Sequence, residues 1–225
     1  MIGRRCVILF VKVPGKDEVK SRLARGMDGD FVLRLYESMV LDTIDMLNDA
    51  RIPFRICYAP PDALEEAKAW LGQDHAFMPQ TGDELGERME LAFSRIFAEG
   101  TAEAVLIGSD IPELTTKVIH EAFASLATHD AVVGPANDGG YYLIGFRKST
   151  FSPVFFRDMP WSAPAVFRET IGRLRAASLS VHVAPECIDA DTKEDLKTLL
   201  AMNEGREASS RAMSMLRRHR KSIME

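Results

Sequence analysis

Short apolar runs bounded by turn residues recur along the chain, at Cys6 to Val13, Phe54 to Tyr58, Ala104 to Ile107, Ala131 to Val133, Tyr141 to Phe146 and Ser180 to Val183. Runs of this length between Gly, Pro, Asn or Asp predict buried strands. Between most of them the apolar period changes. Val32, Leu35, Tyr36, Met39, Val40, Ile44 and Leu47 recur at three and four residues, which gathers them on one face of a helix. The same spacing predicts helices over Ala63 to Leu71, Glu84 to Phe97, Lys117 to Leu126, Ala165 to Ala177 and Lys193 to Met202. Asp62 and Glu65 are spaced as a capping box for the second of these helices, and Thr116 stands where the fourth needs an N-cap.

Strands and helices alternating at this interval predict an α/β protein, with an open and largely parallel sheet covered by helices on both faces. Such sheets bind ligands beyond the carboxyl ends of their strands, so the segments that follow the strands are where chemistry is expected. From Glu204 the core pattern stops. Residues 1–203 therefore read as a single domain, and residues 204–225 as a polar, partly basic tail or helix with Arg217, Arg218, His219, Arg220 and Lys221 in a row. A solvated or docked helix is favoured there over a functional basic arm.

Composition narrows the function. With 225 residues, 46% hydrophobic and 27% charged, the chain is globular and long enough for one well-buried core. A net charge of -5 argues against nucleic acid as a partner, because neutralising phosphates takes an excess of basic side chains. No apolar run approaches the roughly 18 residues of a membrane span. Met1-Ile2-Gly3-Arg4-Arg5 leads straight into the first strand, so a cytoplasmic protein is expected. Cys6, Cys57 and Cys187 lie far apart in or beside apolar stretches, which fits a reducing compartment and neither a disulfide framework nor a zinc site.

Six segments stand out. After the first strand, Pro14 and Gly15 force a turn on which Lys12, Lys16, Lys20 and Arg22 can converge, the combination of close amides and cations that a diphosphate needs. Neither Gly-x-x-x-x-Gly-Lys-Ser/Thr nor Gly-x-Gly-x-x-Gly occurs, which removes P-loop hydrolases and dinucleotide dehydrogenases; Asp17 and Glu18 leave a plain solvated loop as an equal reading. Asp110, just beyond the strand ending at Ile107, is placed to hold a divalent cation or to bind its own turn. Asp189 and Asp191 precede a helix. On an extended segment they would face opposite ways, so at most one is expected beside Asp110 unless the chain bends, and Asp191 equally suits the helix N-cap. Asp138, Gly139 and Gly140 join two strands, and Pro160-Trp161-Ser162 is either a substrate loop or a loop anchored by its Trp. Gln80 to Met89, with Arg88, opens a helix.

In series these segments resemble a family. Lys12-x-Pro14 with Val19-Lys20-Ser21-Arg22-Leu23, Gln80-x-Gly82 with Leu85-Gly86-Glu87-Arg88-Met89, Gly108-Ser109-Asp110-Ile111-Pro112, Asp138-Gly139-Gly140-Tyr141, Pro160-Trp161-Ser162 and Asp189-x-Asp191-Thr192 look like those of the bacterial GT-A-type nucleotide-diphospho-sugar transferases. Within them the match is to the arsenosugar-biosynthesis-type or radical-SAM-associated glycosyltransferases, over about Cys6 to Leu200. The resemblance implies a three-layer α/β/α GT-A fold with a mixed, mostly parallel sheet. It also implies a metal-dependent enzyme moving a glycosyl group from a sugar nucleotide to a small acceptor. Mg2+ or Mn2+ would be held by Asp110 and Asp191. Lys12, Lys20, Arg22 and Arg88 would bind the nucleotide and its phosphates. Gly139, Gly140, Tyr141 and Trp161 would shape the acceptor side, and Asp138 would be the general base. The family's phosphate loop has Gly where Asp17 stands, so repulsion of phosphate is expected there. The rivals are a nucleotidyltransferase resembling the phospholactate guanylyltransferases and a non-catalytic nucleotide-binding protein.

Overall fold

Strand β1 (Arg5–Lys12) runs through the middle of the sheet because its residues can be buried on both faces. In the computed structural model, which describes residues 4–161, 163–205 and 210–225, β1 pairs in parallel with β2 (Phe54–Ala59) on one side and β4 (Glu103–Ile107) on the other. Beyond β2 lies β3 (Phe77–Pro79), and beyond β4 come β6 (Tyr141–Arg147), β5 (Ala131–Pro135) and β7 (Val181–Val183). Only β6 is antiparallel to its neighbours, so the sheet is mixed and mostly parallel.

Alternation along the strands builds two cores. Val7, Leu9 and Val11 of β1, with Val105 and Ile107 of β4, face one layer, and Cys6, Ile8, Ala104 and Leu106 face the other. The first layer holds α2 (Gly29–Asp49), α3 (Leu64–Leu71), α5 (Thr116–Ser125) and α7 (Lys193–Met202). The second holds α4 (Leu85–Ala98) and α6 (Val166–Ala176), where Phe93, Phe97, Phe146, Phe151 and Phe156 interlock. Helices on both faces make the expected three layers, α/β/α.

Several local expectations are corrected. Strand β3 was not anticipated: three residues carry too little pattern, and it exists because it pairs with β2 at Ile56 to Tyr58. Asp62 does not cap α3, whose N-cap is Ala63 without a side-chain bond. At α5 the N-cap is Thr115, not Thr116, again with no side-chain bond. Thr192, not Asp191, caps α7, in a capping box closed by Asp195. Ser21 to Ala24, read as part of a loop, forms a single helical turn, α1.

The weakly patterned end of the chain is helical where it is described. In α8 (Arg211–Arg218) and α9 (Arg220–Met224), Ala212, Met213, Leu216 and Ile223 are buried against the first layer. Asp42 of α2 accepts hydrogen bonds from the backbone N–H groups of Arg211 (3.1 Å) and Ala212 (2.9 Å), tying down the start of α8. The stretch from Arg206 to Ser209, part of the expected tail, and Met1 to Gly3 lie outside the described residues.

One edge of the sheet gathers the loops of interest. The carboxyl ends of β1, β2, β3, β4, β5 and β7 and the amino end of β6 all meet there, and the connections diverge between β1 and β4, the switch point at which open α/β sheets bind ligands.

Candidate active site

At that edge lies a cleft of about 330 Å³ whose floor is formed by Phe10 to Lys12, Leu106 and Gly108 to Ile111. Its walls come from Gln80, Leu85, Arg88 and Met89 on one side and from Asp138, Gly140, Tyr141, Trp161 and Asp189 on the other. Lys12, Arg88, Asp110, Asp138, Gly140, Tyr141 and Trp161, read from the sequence as site residues, thus share one cleft.

The carboxylates converge on a lysine. Lys20 sends its ammonium, with a side chain only 5% exposed, between Asp110 Oδ2 at 2.9 Å and Asp189 Oδ1 at 2.7 Å, with Asp191 Oδ1 at 3.7 Å. Arg22 Nη1 reaches Asp191 Oδ2 at 3.2 Å from the rim. Burial alone would lower the Lys20 pKa, but Asp110 and Asp189 outweigh it and hold the ammonium charged. The Asp189 pKa is raised too: burial and the adjacent Asp110 carboxylate push it up against the pull of Lys20.

Each residue is placed by local structure. Gly108 lets Asp110 fold back over the end of β4, since a Cβ at 108 would stand 2.8 Å from Asp110 Oδ1. Lys20 is the N-cap of α1 with φ 48° and ψ 44°, a left-handed conformation that turns its side chain inward at a cost in backbone strain. The expectation that only one of Asp189 and Asp191 could share a site with Asp110 is corrected. The chain bends, with Asp191 N–H donating to Asp189 O at 2.9 Å, while the buried Ala190 donates its N–H to Asp110 O at 3.2 Å. Asp189, the closer of the pair, was therefore missed as a site residue; the Asp-x-Asp spacing is the signal, and only the bend makes it readable.

The phosphate-loop candidate is ordered by its own bonds. Lys12 Nζ donates to Glu18 O at 3.0 Å, and the Tyr36 hydroxyl accepts from Lys12 N–H at 2.7 Å and donates to Lys12 O at 3.1 Å. Lys16 pairs with Glu66 at 2.6 Å and so points away from the carboxylate group. Asp17 Oδ1 accepts from the Glu18 N–H at 2.7 Å, within its own turn, and Asp17 does not line the cleft.

The opposite wall is aromatic. Tyr141 and Trp161 meet edge to face with ring centroids 6.3 Å apart, and Trp161 stacks on Phe156 at 6.4 Å. Gly139, at φ 90°, is pressed against the Pro164 carbonyl oxygen, so it shapes the loop rather than presenting a contact surface. Asp138 Oδ1 accepts from Gly140 N–H at 2.8 Å. Ser162 lies outside the described residues. Arg88 donates from Nε to Gly82 O at 3.0 Å and has no carboxylate partner among the described residues. Gln80 belongs to a motif whose spacing assigns it no role; its Nε2 donates to Val11 O (3.1 Å) and Cys57 O (2.8 Å), fixing its amide against β1 and β2.

Asp110, Asp189 and Asp191 are hard oxygen donors of the kind that hold magnesium or manganese, and a positive charge already sits among them, so the donor chemistry fits such an ion. As they stand they are spread around the ammonium: no three acidic, His or Cys side chains among the described residues are close enough together to chelate one ion.

A mixed sheet in this order, with a carboxylate and lysine cluster at its switch point, defines the class of fold found in nucleotide-diphospho-sugar transferases. The chain belongs to the family described as "Uncharacterized protein conserved in bacteria (DUF2064)", whose model matches residues 43–163. It is 38% identical, over 98% of its own length and 97% of the other chain, to a protein of Desulfovibrio desulfuricans G20 named as a candidate nucleotide-diphospho-sugar transferase, with a TM-score of 0.93. More distant likenesses concern the fold alone. A glucose-1-phosphate thymidylyltransferase candidate of Bacillus anthracis is 12% identical over 93% of this chain and 99% of that one, with a TM-score of 0.57. The protein Rv0371c of Mycobacterium tuberculosis H37Rv, solved in complex with manganese, is 14% identical over 88% of this chain and 97% of that one, with a TM-score of 0.52. No curated protein matches the chain. Among the described residues no helix is long and apolar enough to cross a membrane.

Proposed function

We propose that the protein is a metal-dependent, GT-A-type glycosyltransferase that moves a sugar from a nucleoside diphosphate to a hydroxyl of a small acceptor in the cytoplasm. The motif series further points to the arsenosugar or radical-SAM-associated group. In this reading residues 1–203 are the catalytic unit and residues 204–225 an appended support. The observation that carries it is the convergence of Asp110, Asp189 and Asp191 on Lys20 at the switch point of the sheet.

Asp110, Asp189 and Asp191 would hold Mg2+ or Mn2+, which supplies neutralisation of the charge on a diphosphate leaving group. Lys12, Lys20 and Arg22 would bind the phosphate oxygens, and Arg88, without a carboxylate of its own, would meet a further anionic or carbonyl group of the nucleotide. Tyr141 and Trp161 would pack against the acceptor, with Gly139 and Gly140 setting the path of the loop beside it. In the transfer, the bond from the anomeric carbon to the diphosphate oxygen breaks and a bond to the acceptor oxygen forms. The acceptor proton passes to Asp138, whose Oδ2 is not used by its own turn.

The test is product analysis with manganese present. Release of nucleoside diphosphate from a sugar nucleotide, with no pyrophosphate from any nucleoside triphosphate, is expected. Pyrophosphate formed from a triphosphate and a phosphorylated acceptor, without turnover of any sugar nucleotide, would assign the protein to the nucleotidyltransferases instead.

A further inference from the structure

Lys20 occupies the place among Asp110, Asp189 and Asp191 that a cation would take, and its ammonium uses Asp110 Oδ2 and Asp189 Oδ1 directly. Two positive centres on the same carboxylates repel one another, and in a buried site that repulsion is larger than in water. Resting on the reading of these carboxylates as the metal-holding group, we infer that Lys20 is a built-in counter-ion that must leave the carboxylates before a divalent metal binds, and that its destination is the phosphate of the incoming nucleotide. Metal and nucleotide are therefore taken up together, and metal alone only weakly.

Three observations support the exchange. The carboxylates are not arranged to chelate while the ammonium stands between them. Without Lys20 the buried part of the site would hold carboxylates with little compensation, because Arg22 is 62% exposed and reaches only Asp191. With a metal present, by contrast, Lys20 would be the surplus charge. A side chain 5% exposed cannot simply swing into water at no cost, and it begins at a left-handed residue at the start of the four-residue helix α1, a short segment on which a small backbone change can re-aim it. The nearest chemistry able to receive its charge is an anion brought into the same cleft.

The inference assigns Lys20 opposite effects on two ligands, which a purely structural lysine would not have. Mn2+ binding is measured on the full chain by the electron paramagnetic resonance of free Mn2+, for the unaltered protein and for Lys20→Met, with and without UDP and GDP as probes. Lys20→Met is expected to bind Mn2+ alone at least tenfold more tightly, within the roughly 5- to 150-fold span of coupled sites. At saturating Mn2+ it is expected to bind the nucleotide more weakly than the unaltered protein does. Equal or weaker Mn2+ binding by the variant, while the unaltered protein binds Mn2+, overturns the exchange and leaves the metal reading intact. No Mn2+ binding by either protein, with or without nucleotide, overturns both. Should Lys20→Met fail to fold, Lys20→Gln carries the same comparison. The unaltered protein also tests it alone: nucleotide must raise its Mn2+ affinity at least fivefold beyond chelation by free nucleotide, and an unchanged affinity refutes the inference.

Discussion

Gly86, in the first turn of α4, lies against the indole of Trp161: a Cβ at position 86 would stand 2.5 Å from Nε1, and it would also collide with the carbonyl oxygen of Phe156. The aromatic wall of the cleft is therefore seated on a missing side chain. Gly86→Ala is expected to push the segment from Phe156 to Trp161 outward and to cost about 1–3 kcal/mol, the range for overpacking a close contact. Denaturant midpoints and tryptophan emission would both move. An unchanged midpoint and spectrum would show that the loop yields freely and that the contact does not position Trp161.

Asp110→Asn keeps the shape of the side chain and leaves Lys20 paired with Asp189 at 2.7 Å, so the fold should survive. Divalent-metal-dependent nucleotide binding should fall by more than about tenfold, the loss of one charged ligand from a small oxygen set. Calorimetry with Mn2+ and a nucleoside diphosphate decides it; retained affinity would remove Asp110 from the metal-holding role.

Asp138→Asn separates chemistry from binding. If Asp138 takes the acceptor proton, turnover should drop by roughly 10²–10⁴-fold while donor affinity stays within about twofold. Parallel losses in both would mean that the side chain matters only through its hydrogen bond to Gly140.

Asp130 ties two sheet strands together away from the cleft. Its Oδ2 accepts from the Ser180 hydroxyl at 2.7 Å and the Ser180 N–H at 2.9 Å, and Oδ1 pairs with Arg147. The Ser180 bonds, with Arg147 adding to them, lower its pKa. A folded-state value below the ordinary Asp value of about 3.9 means stabilisation that is complete above that pH and lost as pH falls through the lowered value. Asp130→Asn should therefore melt at a lower temperature at neutral pH, with the gap to the unaltered protein closing as the pH falls through the lowered folded-state value. A gap that stays constant into acid would show that the ionised carboxylate contributes nothing.

Asp42→Ala removes the acceptor for the first N–H groups of α8. A loss of about 1 kcal/mol is expected, as for other helix N-terminal acceptors, read from thermal or denaturant melts. Ser210 Oγ still receives the Met213 N–H at 3.2 Å, so α8 itself should persist. No change would mean that α8 is held by Met213 and Leu216 alone.

What the sequence disclosed follows periodicity. The long apolar stripe from Val32 to Leu47 and the apolar runs of β2 and β6 are unambiguous, because each commits many positions to buried faces. Strand β3 was invisible because three residues cannot show a period, and it exists through pairing with β2. Asp110 was legible because it follows a buried strand. Asp189 was not, because its inward direction depends on the hydrogen bond from Asp191 N–H to its own carbonyl and on Ala190 docking against Asp110 O, contacts that no spacing rule contains. The entry of Lys20 into the carboxylate group depends likewise on one left-handed residue, 90 positions away from Asp110 in sequence.

The reversal of β6 carries a consequence for how this scaffold can diversify. Because β6 runs against β4, with Ile107 opposite Leu143, its first residues emerge beside Asp110 rather than at the far end of the sheet. The turn from Ala136 to Gly140 and the segment leading to α6 thus border the cleft, yet neither belongs to the β1 to β3 half that carries Lys12, Lys20 and Gln80. Loop length in the segment leading to α6 can therefore change between relatives with the carboxylate group left unaltered, whereas the turn is bound to that group, because Asn137 Oδ1 accepts from Asp189 N–H at 2.9 Å.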